Sequence, residues 1–164
     1  IVDNKLIHGA QGVTGEIGHT TISLEGERCS CGNIGCFETF VTGDAIVRRA
    51  KRMIPSAPEN LTAEEVYRLA KQGEKQYIQI LEETGRLIGI GIVNFIHTVN
   101  PDKIILSGGV MKSKEIIFPI IKKTIHERVL IDKLREETII EVSKLGDDIT
   151  ELGAAALWLN DLFY

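Results

Sequence analysis

Residues 29–36 read CSCGNIGC, so three cysteines fall within eight positions, and His19 stands ten residues before the first of them. An odd number of cysteines does not fit a framework of paired disulfides. Three thiolates and one imidazole are a ligand set for a closed tetrahedral zinc site, which leaves no position for an activated water. The alternative is three small buried hydrophobic residues, but the neighbouring residues are polar and glycine-rich. The stretch therefore predicts a structural zinc site formed by His19, Cys29, Cys31 and Cys36.

The residues around the cysteines are typical of loops. Gly32 and Gly35 allow the chain to turn tightly around an ion, where larger side chains would crowd it. Further upstream, glycines recur at every third position, at Gly9, Gly12, Gly15 and Gly18. Because loops supply all four predicted ligands, we expect the metal to order this part of the chain.

Strand patterns precede the cysteines and helical patterns follow them. Residues 1–2 and 5–7 predict strands joined by a turn at Asp3-Asn4, and residues 20–24 predict another strand. The apolar spacing over residues 38–53 predicts a helix, which two prolines then end.

Two further helices are predicted before residue 100. Residues 62–65 (TAEE) form a capping box that begins a helix, and Gly73 interrupts the pattern. Residues 74–99 have one broad apolar face and predict the longest helix, which Asn100-Pro101 ends. Its glycines Gly85, Gly89 and Gly91 each disfavour the helix by about 1 kcal/mol relative to Ala. We expect close packing against another backbone as the compensation.

Beyond residue 100 the pattern alternates between strand and helix. Residues 103–107 predict a buried strand, Gly108-Gly109 a turn, residues 113–129 a helix, residues 138–143 a second strand and residues 149–162 a final helix. Two strands joined by a helix of this length indicate a parallel crossover. The predicted fold class is α/β.

The composition is that of a globular chain. It has 164 residues (18.1 kDa), of which 43% are hydrophobic and 26% charged. A net charge of −4 argues against a nucleic-acid surface on this segment, because phosphate binding depends on clustered Lys and Arg. We find no apolar run long enough for a membrane span and no signal peptide, so we expect a cytoplasmic protein. The chain opens directly on strand-like residues, without an initiator Met, and we expect it to be part of a longer protein.

The run GEIGH at residues 15–19, together with CSCGNIGCFET at residues 29–39, resembles the signature of the ROK family. Its members are bacterial sugar kinases, including glucokinase-like enzymes, and sugar-responsive repressors. The resemblance extends over essentially the whole chain, through NPDKI at residues 100–104, SGG at 107–109 and LGAAA at 152–156. It implies an actin-like, ribonuclease H-like fold in which helices flank a mixed sheet and a loop binds zinc. It also implies that residues 1–164 are the C-terminal lobe of a two-lobe protein, without its N-terminal lobe.

By this resemblance, Glu16, His19 and Glu38 bind the hydroxyl groups of a hexose substrate or effector. A carboxylate can accept hydrogen bonds from two neighbouring hydroxyls, and a zinc-bound imidazole retains one N–H as an oriented donor. His19 would then be a metal ligand and a sugar contact at once. The alternatives are structural: Glu16 caps the glycine-rich loop, and Glu38 favours a helix N-terminus.

For nucleotide, the resemblance leaves the turn Gly108-Gly109, where the backbone can approach adenosine near a helix N-terminus. An ordinary turn is the alternative. The family's catalytic Asp and its phosphate loops lie before Ile1, so we expect no catalytic residue in this chain, and ATP and magnesium only in the intact protein. Asp147-Asp148 could suggest a metal site, but exposed loop carboxylates are favoured.

Three functions remain open at this stage. The first is part of an ATP-dependent cytoplasmic hexose kinase, which is inactive as this fragment alone. The second is the effector-binding part of a ROK-family repressor, and the third is a zinc-stabilised binding module. The retained Gly108-Gly109 turn favours the kinase. The sugar is not determined, since specificity depends on contacts from both lobes, and we expect the protein to be a homo-oligomer.

Overall fold

The computed structural model describes the backbone of residues 1–163 and the side chains of residues 1–146 and 148–159. The chain divides into two compact units, Ile1–Phe40 and the residues from Val41 onward. The helices and strands follow in the order α1 (Glu38–Val41), α2 (Gly43–Met53), α3 (Ala63–Lys71), α4 (Lys75–Val99), β1 (Lys103–Leu106), α5 (Lys114–Arg128), α6 (Asp132–Glu137), β2 (Ile139–Val142) and α7 (Ile149–Phe163).

The N-terminal unit is built mainly from turns. Asp3 and Asn4 have left-handed backbone conformations, with φ of 49° and 61°, as a tight hairpin turn requires. Val2 and Lys5 exchange two backbone hydrogen bonds of 2.9 Å across this turn, which confirms the turn predicted from the sequence. The strands predicted on either side of it amount to this single bridge.

The strand predicted over residues 20–24 is wrong. Within the described residues, its only ladder pairing is an isolated antiparallel bridge between Thr21 and Cys36. The Ser23 hydroxyl then accepts a hydrogen bond from the Glu25 backbone at 3.2 Å, which turns the chain. Local bonding by a serine side chain therefore competes with strand pairing and ends it.

The helix predicted over residues 38–53 is two helices. Thr42 lies between α1 and α2 in an extended conformation, and its hydroxyl accepts from the Ala45 backbone at 3.3 Å, as an N-cap residue does. Thr62 caps α3 in the same way, accepting from the Glu65 backbone at 3.2 Å. This bond confirms the hydroxyl half of the predicted capping box.

Helix α4 packs closely on α5 at Gly85 and Gly89. A Cβ atom at Gly85 would lie 2.9 Å from Ile120 Cβ and 3.0 Å from the carbonyl oxygen of Ile117. A Cβ atom at Gly89 would lie 2.6 Å from Thr124 Cβ. The close packing predicted as compensation for the glycines is confirmed at these two positions.

Strands β1 and β2 pair in parallel and in register over their full length, which confirms the predicted crossover. Within the described residues they form a two-stranded sheet, so the expected mixed sheet is here a small parallel one. The expectation that residues 103–107 form a buried strand is wrong: Ile105 is 55% exposed, whereas Ile104 and Leu106 pack against the core. Only one face of this strand meets the helices, so its side chains alternate between core and surface.

The core of the larger unit lies among α2, α3, α4 and α5. Ile46, Val66, Leu81 and Ile121, one from each of these helices, are at most 1% exposed. Helix α6 was not predicted, because its sequence DKLREE has no apolar periodicity. None of the helices described is both long and apolar enough to cross a membrane.

We expect Gly89→Ala to lower the free energy of unfolding by roughly 1–3 kcal/mol, the usual cost of overpacking a core. The added methyl group would overlap Thr124. This loss should appear although Ala favours an isolated helix by about 1 kcal/mol over Gly. Denaturant unfolding followed by far-UV circular dichroism measures the change.

Gly153→Ala in α7 is the matched control, since a Cβ atom there would meet no atom within 4 Å. That variant should be as stable as the original chain or slightly more so. Equal stability changes in the two variants would show that the approach of α4 to α5 does not exclude a side chain at position 89.

Candidate functional site

A tight loop brings the cysteines together. The Gly32 N–H donates to the Cys29 carbonyl at 2.9 Å, and the Cys29 N–H donates to the Asn33 carbonyl at 2.8 Å. Gly32 and Gly35 have φ of 91° and 76°, and a Cβ atom at Gly35 would overlap the carbonyl oxygen of Ser23. Both glycines therefore occupy backbone conformations that other residues rarely adopt, as the sequence suggests.

The ligand atoms of the four predicted residues, His19, Cys29, Cys31 and Cys36, all lie within 4.8 Å of one another. The Sγ atoms of Cys31 and Cys36 are 3.7 Å apart, and Cys29 Sγ is 3.4 Å from His19 Nδ1. Tetrahedral zinc with Zn–S of about 2.3 Å and Zn–N of about 2.0 Å would place such atoms about 3.8 Å and about 3.5 Å apart. The cluster could hold one metal ion, and these two separations fit a tetrahedral site.

The three thiols differ in their surroundings. Cys36 and Cys29 are buried, whereas Cys31 is exposed. Burial raises the pKa of the Cys36 thiol to about 12, and a hydrogen bond from the Asn33 backbone lowers the pKa of Cys31. Because a metal binds thiolates, its binding to this cluster would release protons and weaken as the pH falls.

The two ring nitrogens of His19 face different groups. Nδ1 faces the Cys29 thiol and lies 3.7 Å from Glu38 Oε1, whereas Nε2 lies 3.6 Å from Glu16 Oε2. The hydrogen bond with Cys29 and the nearby carboxylates raise the pKa of His19. Nδ1 is therefore the nitrogen placed to bind a metal, and Nε2 remains for a hydrogen bond. The sequence could not distinguish the two nitrogens.

Glu16 and Glu38 flank the cluster, and their side chains are 68% and 36% exposed. Glu38 Oε1 accepts a hydrogen bond from the Cys29 thiol at 2.9 Å. Glu16 precedes the 3-10 turn Ile17–His19 and makes no side-chain capping bond to it. Two carboxylates and one imidazole edge thus meet at a partly exposed position beside the cysteines.

A second candidate site lies in the larger unit, at the turn that follows β1. Gly108 has φ of 93°, and Gly109 lines a groove of about 650 Å³. The first turns of α2 and α3 form other parts of its wall, which also includes Thr62, Tyr67 and Lys112. No sequence pattern marks these three residues as site residues, because only the packing of the helices beside the turn brings them together.

The carboxylates predicted to be surface groups follow β2. Asp148 is exposed, and the side chain of Asp147 lies outside the described residues. The 3-10 turn Gly146–Asp148 is followed directly by α7, so these residues lie at the N-terminal end of that helix.

Comparison with known proteins relates the chain to sugar-responsive proteins and enzymes. The model of the ROK family matches residues 1–161. The xylose repressor of Caldicellulosiruptor bescii is 32% identical over 172 residues, which cover 99% of this chain and 43% of the repressor. The glucokinase of Halalkalibacterium halodurans is 28% identical over 97% of this chain and 51% of its own length.

The structure is also similar to solved ones. A ROK family glucokinase from Streptomyces griseus, in complex with glucose and AMPPNP, matches with a TM-score of 0.86 and 28% identity, over 96% of this chain and 55% of that one. The chain thus spans about half the length of these relatives. Sequence motifs, family match and fold agree, and the chain belongs to the ROK family.

Proposed function

We propose that this chain is the zinc-containing, sugar-binding part of an ATP-dependent, glucokinase-like hexose kinase of the cytoplasm. The observation that carries the proposal is the meeting of Glu16, His19 and Glu38 beside three cysteines that, together with His19, could hold a metal ion. In this proposal residues 1–164 are the C-terminal lobe. The other half of the length seen in relatives supplies an N-terminal lobe with the catalytic base.

Zinc is the metal that we assign to the cluster, because three thiolates and one imidazole are a soft donor set with four ligands. The small interior of the N-terminal unit supports a structural role. Of residues 1–40, only Cys29, Gly35 and Cys36 are buried. A unit with so little apolar core needs another source of stability, and a structural metal supplies it.

The sugar site follows from how the cluster holds His19. With Nδ1 on the metal, the imidazole keeps its Nε2–H as a fixed donor near Glu16. The carboxylates of Glu16 and Glu38 then accept hydrogen bonds from sugar hydroxyls, which are stronger for being charge-assisted. This arrangement offers one donor and several acceptors, which matches the donor and acceptor character of neighbouring hydroxyls.

The groove at Gly109 is the reason to favour the kinase. Its volume of about 650 Å³ lies within the range of small-molecule sites. In the proposal the groove receives the adenosine of ATP, with magnesium carried by the nucleotide phosphates. The glucokinase of Streptomyces griseus, which shares this fold, was solved with a nucleotide analogue, AMPPNP.

A sugar-responsive repressor is the second candidate. It is favoured by the 32% identity to the xylose repressor of Caldicellulosiruptor bescii over almost the whole chain. The same sugar site would then bind an effector. Assays of the complete protein separate the two functions: a kinase phosphorylates glucose with ATP, whereas a repressor binds operator DNA and releases it when sugar is added, without phosphorylation.

We expect the purified chain to contain one zinc ion per molecule, measured by mass spectrometry of the metal. His19→Ala should lose zinc and lower the thermal midpoint, because a structural zinc site of this kind contributes on the order of 10 kcal/mol to folding. His8→Ala, which changes an exposed histidine of the same unit, is the control and should retain zinc. Absence of zinc from protein purified without chelator would refute the assignment.

In the complete protein, Glu38→Gln and Glu16→Gln should each weaken sugar binding about tenfold to a hundredfold, because the charge that strengthens bonds from hydroxyls is removed. Zinc content should not change. Titration calorimetry with glucose, and with xylose in parallel, measures the affinity. Glu27→Gln, at an exposed position of the same unit, is the control. Unaltered affinity in both site variants would leave Glu16 and Glu38 with only structural roles.

The 164-residue chain by itself should not phosphorylate glucose in the presence of ATP and magnesium. The proposal places the base in the other lobe, and positioning of the reactants supplies most of the rate in phosphoryl transfer. A coupled assay for ADP formation checks this expectation. Glucose-dependent turnover by this chain would mean that the catalytic base lies within it.

A further inference from the structure

Tyr67 forms one wall of the groove beside Gly109, and two side chains hold it there. Its hydroxyl donates to Glu115 Oε2 of α5 at 3.0 Å. Lys71, one turn further along α3, lies 3.0 Å from the same oxygen, with its ammonium 5.5 Å from the centre of the Tyr67 ring. Glu115 is not part of the groove lining, so the Tyr67 hydroxyl is bonded to a residue outside the groove that Tyr67 lines.

The groups that hold Tyr67 are charged at neutral pH. Their mutual hydrogen bond lowers the pKa of Glu115 and raises that of Lys71. A carboxylate acceptor makes the bond from the Tyr67 hydroxyl charge-assisted, and therefore stronger than a neutral one. The ring is oriented before a ligand arrives, which reduces the entropy lost on binding.

The rest of the lining suits a flat ligand with a polar extension. Ala63 and Val110 provide apolar surface. Gly109 adds no side chain, and a Cβ atom there would meet nothing within 4 Å, so the backbone is open at this point. Lys112 and Glu64, whose charged atoms lie 3.5 Å apart, provide the polar part of the wall.

From this arrangement we infer that Tyr67 is the residue that selects an aromatic base in the groove, by stacking against it, and that Glu115 is the positioning residue that orients the Tyr67 ring. The inference rests on the proposed nucleotide role of the groove and extends it to the choice of ligand. An aromatic face stacks on a planar base but gives no such contact to a base-free phosphate chain.

The test uses two probes, adenosine and inorganic triphosphate, each titrated into the complete protein and followed by protein NMR. Tyr67→Leu keeps an apolar side chain but removes the aromatic face. It should weaken adenosine binding about fivefold to a hundredfold, the range expected for loss of one base–aromatic stack. Binding of triphosphate should be unchanged.

The role of Glu115 is tested by Glu115→Ala and Tyr67→Phe, which each remove the same hydrogen bond and keep the aromatic ring. Each should weaken adenosine binding by about twofold to tenfold. The double variant should be no weaker than Glu115→Ala, because Glu115→Ala already removes the hydrogen bond that Tyr67→Phe removes. A purely structural role would instead change the binding of both probes together.

Phe118→Leu is the matched control. Phe118 is an aromatic residue of α5 with the Lys122 ammonium 5.6 Å from its ring centre, and it does not line the groove. Its replacement should leave adenosine binding unchanged.

Adenosine binding by the original chain that persists unchanged in Tyr67→Leu would overturn this inference and leave the kinase proposal standing. Failure of the original chain to bind adenosine would overturn both the nucleotide role of the groove and the inference. Sugar binding and zinc content would still test the other half of the proposed function.

Discussion

The close approach of α4 to α5 is the constraint on which the larger unit depends. Because Gly85 and Gly89 have no side chains, the backbones of the two helices can approach closely. The apolar faces of both helices can then join one core with α2 and α3. Strand β1 follows α4, and β2 follows α5 and the short helix α6, so the packing of α4 on α5 also permits the parallel pairing of the strands. The groove at Gly109 exists because the turn after β1 comes to lie beside the first turns of α2 and α3.

The N-terminal unit is organised by tight turns around its cysteines rather than by an apolar core. Its buried residues are two cysteines and a glycine between tight turns. Backbone hydrogen bonds shape the loop around them. Glycines with positive φ adopt the turn conformations without steric strain. In such a unit the residues that could bind a metal and the residues that give the fold its shape are the same. Loss of a ligand would therefore affect folding and binding together.

His19 lies between the cysteine cluster and the Glu16 carboxylate, with one ring nitrogen facing each. One nitrogen lies against the Cys29 thiol, and the other lies near the Glu16 carboxylate. The affinity of a ligand that binds at the carboxylates would therefore depend on whether the imidazole is held in place. Both a xylose repressor and a glucokinase occur among the relatives of this chain.

The sequence by itself indicated the family, the parallel crossover and most helices, and it grouped His19, Cys29, Cys31 and Cys36 as candidate metal ligands, because cysteine spacing, capping residues and apolar periodicity are local signals. It also located Gly85 and Gly89 as points of close packing. Only the tertiary structure decided that residues 20–24 are not a strand, that Thr42 divides a helix and that β1 has an exposed face. Only the tertiary structure showed that Nδ1 of His19 faces Cys29 and that Nε2 faces Glu16. It also placed Tyr67 at the groove. The turn at Ser23 and the cap at Thr42 are local, but their competition with strand or helix is settled only in the folded chain. The position of Tyr67 depends on a contact with Glu115, 48 residues away, and no local pattern records such a contact.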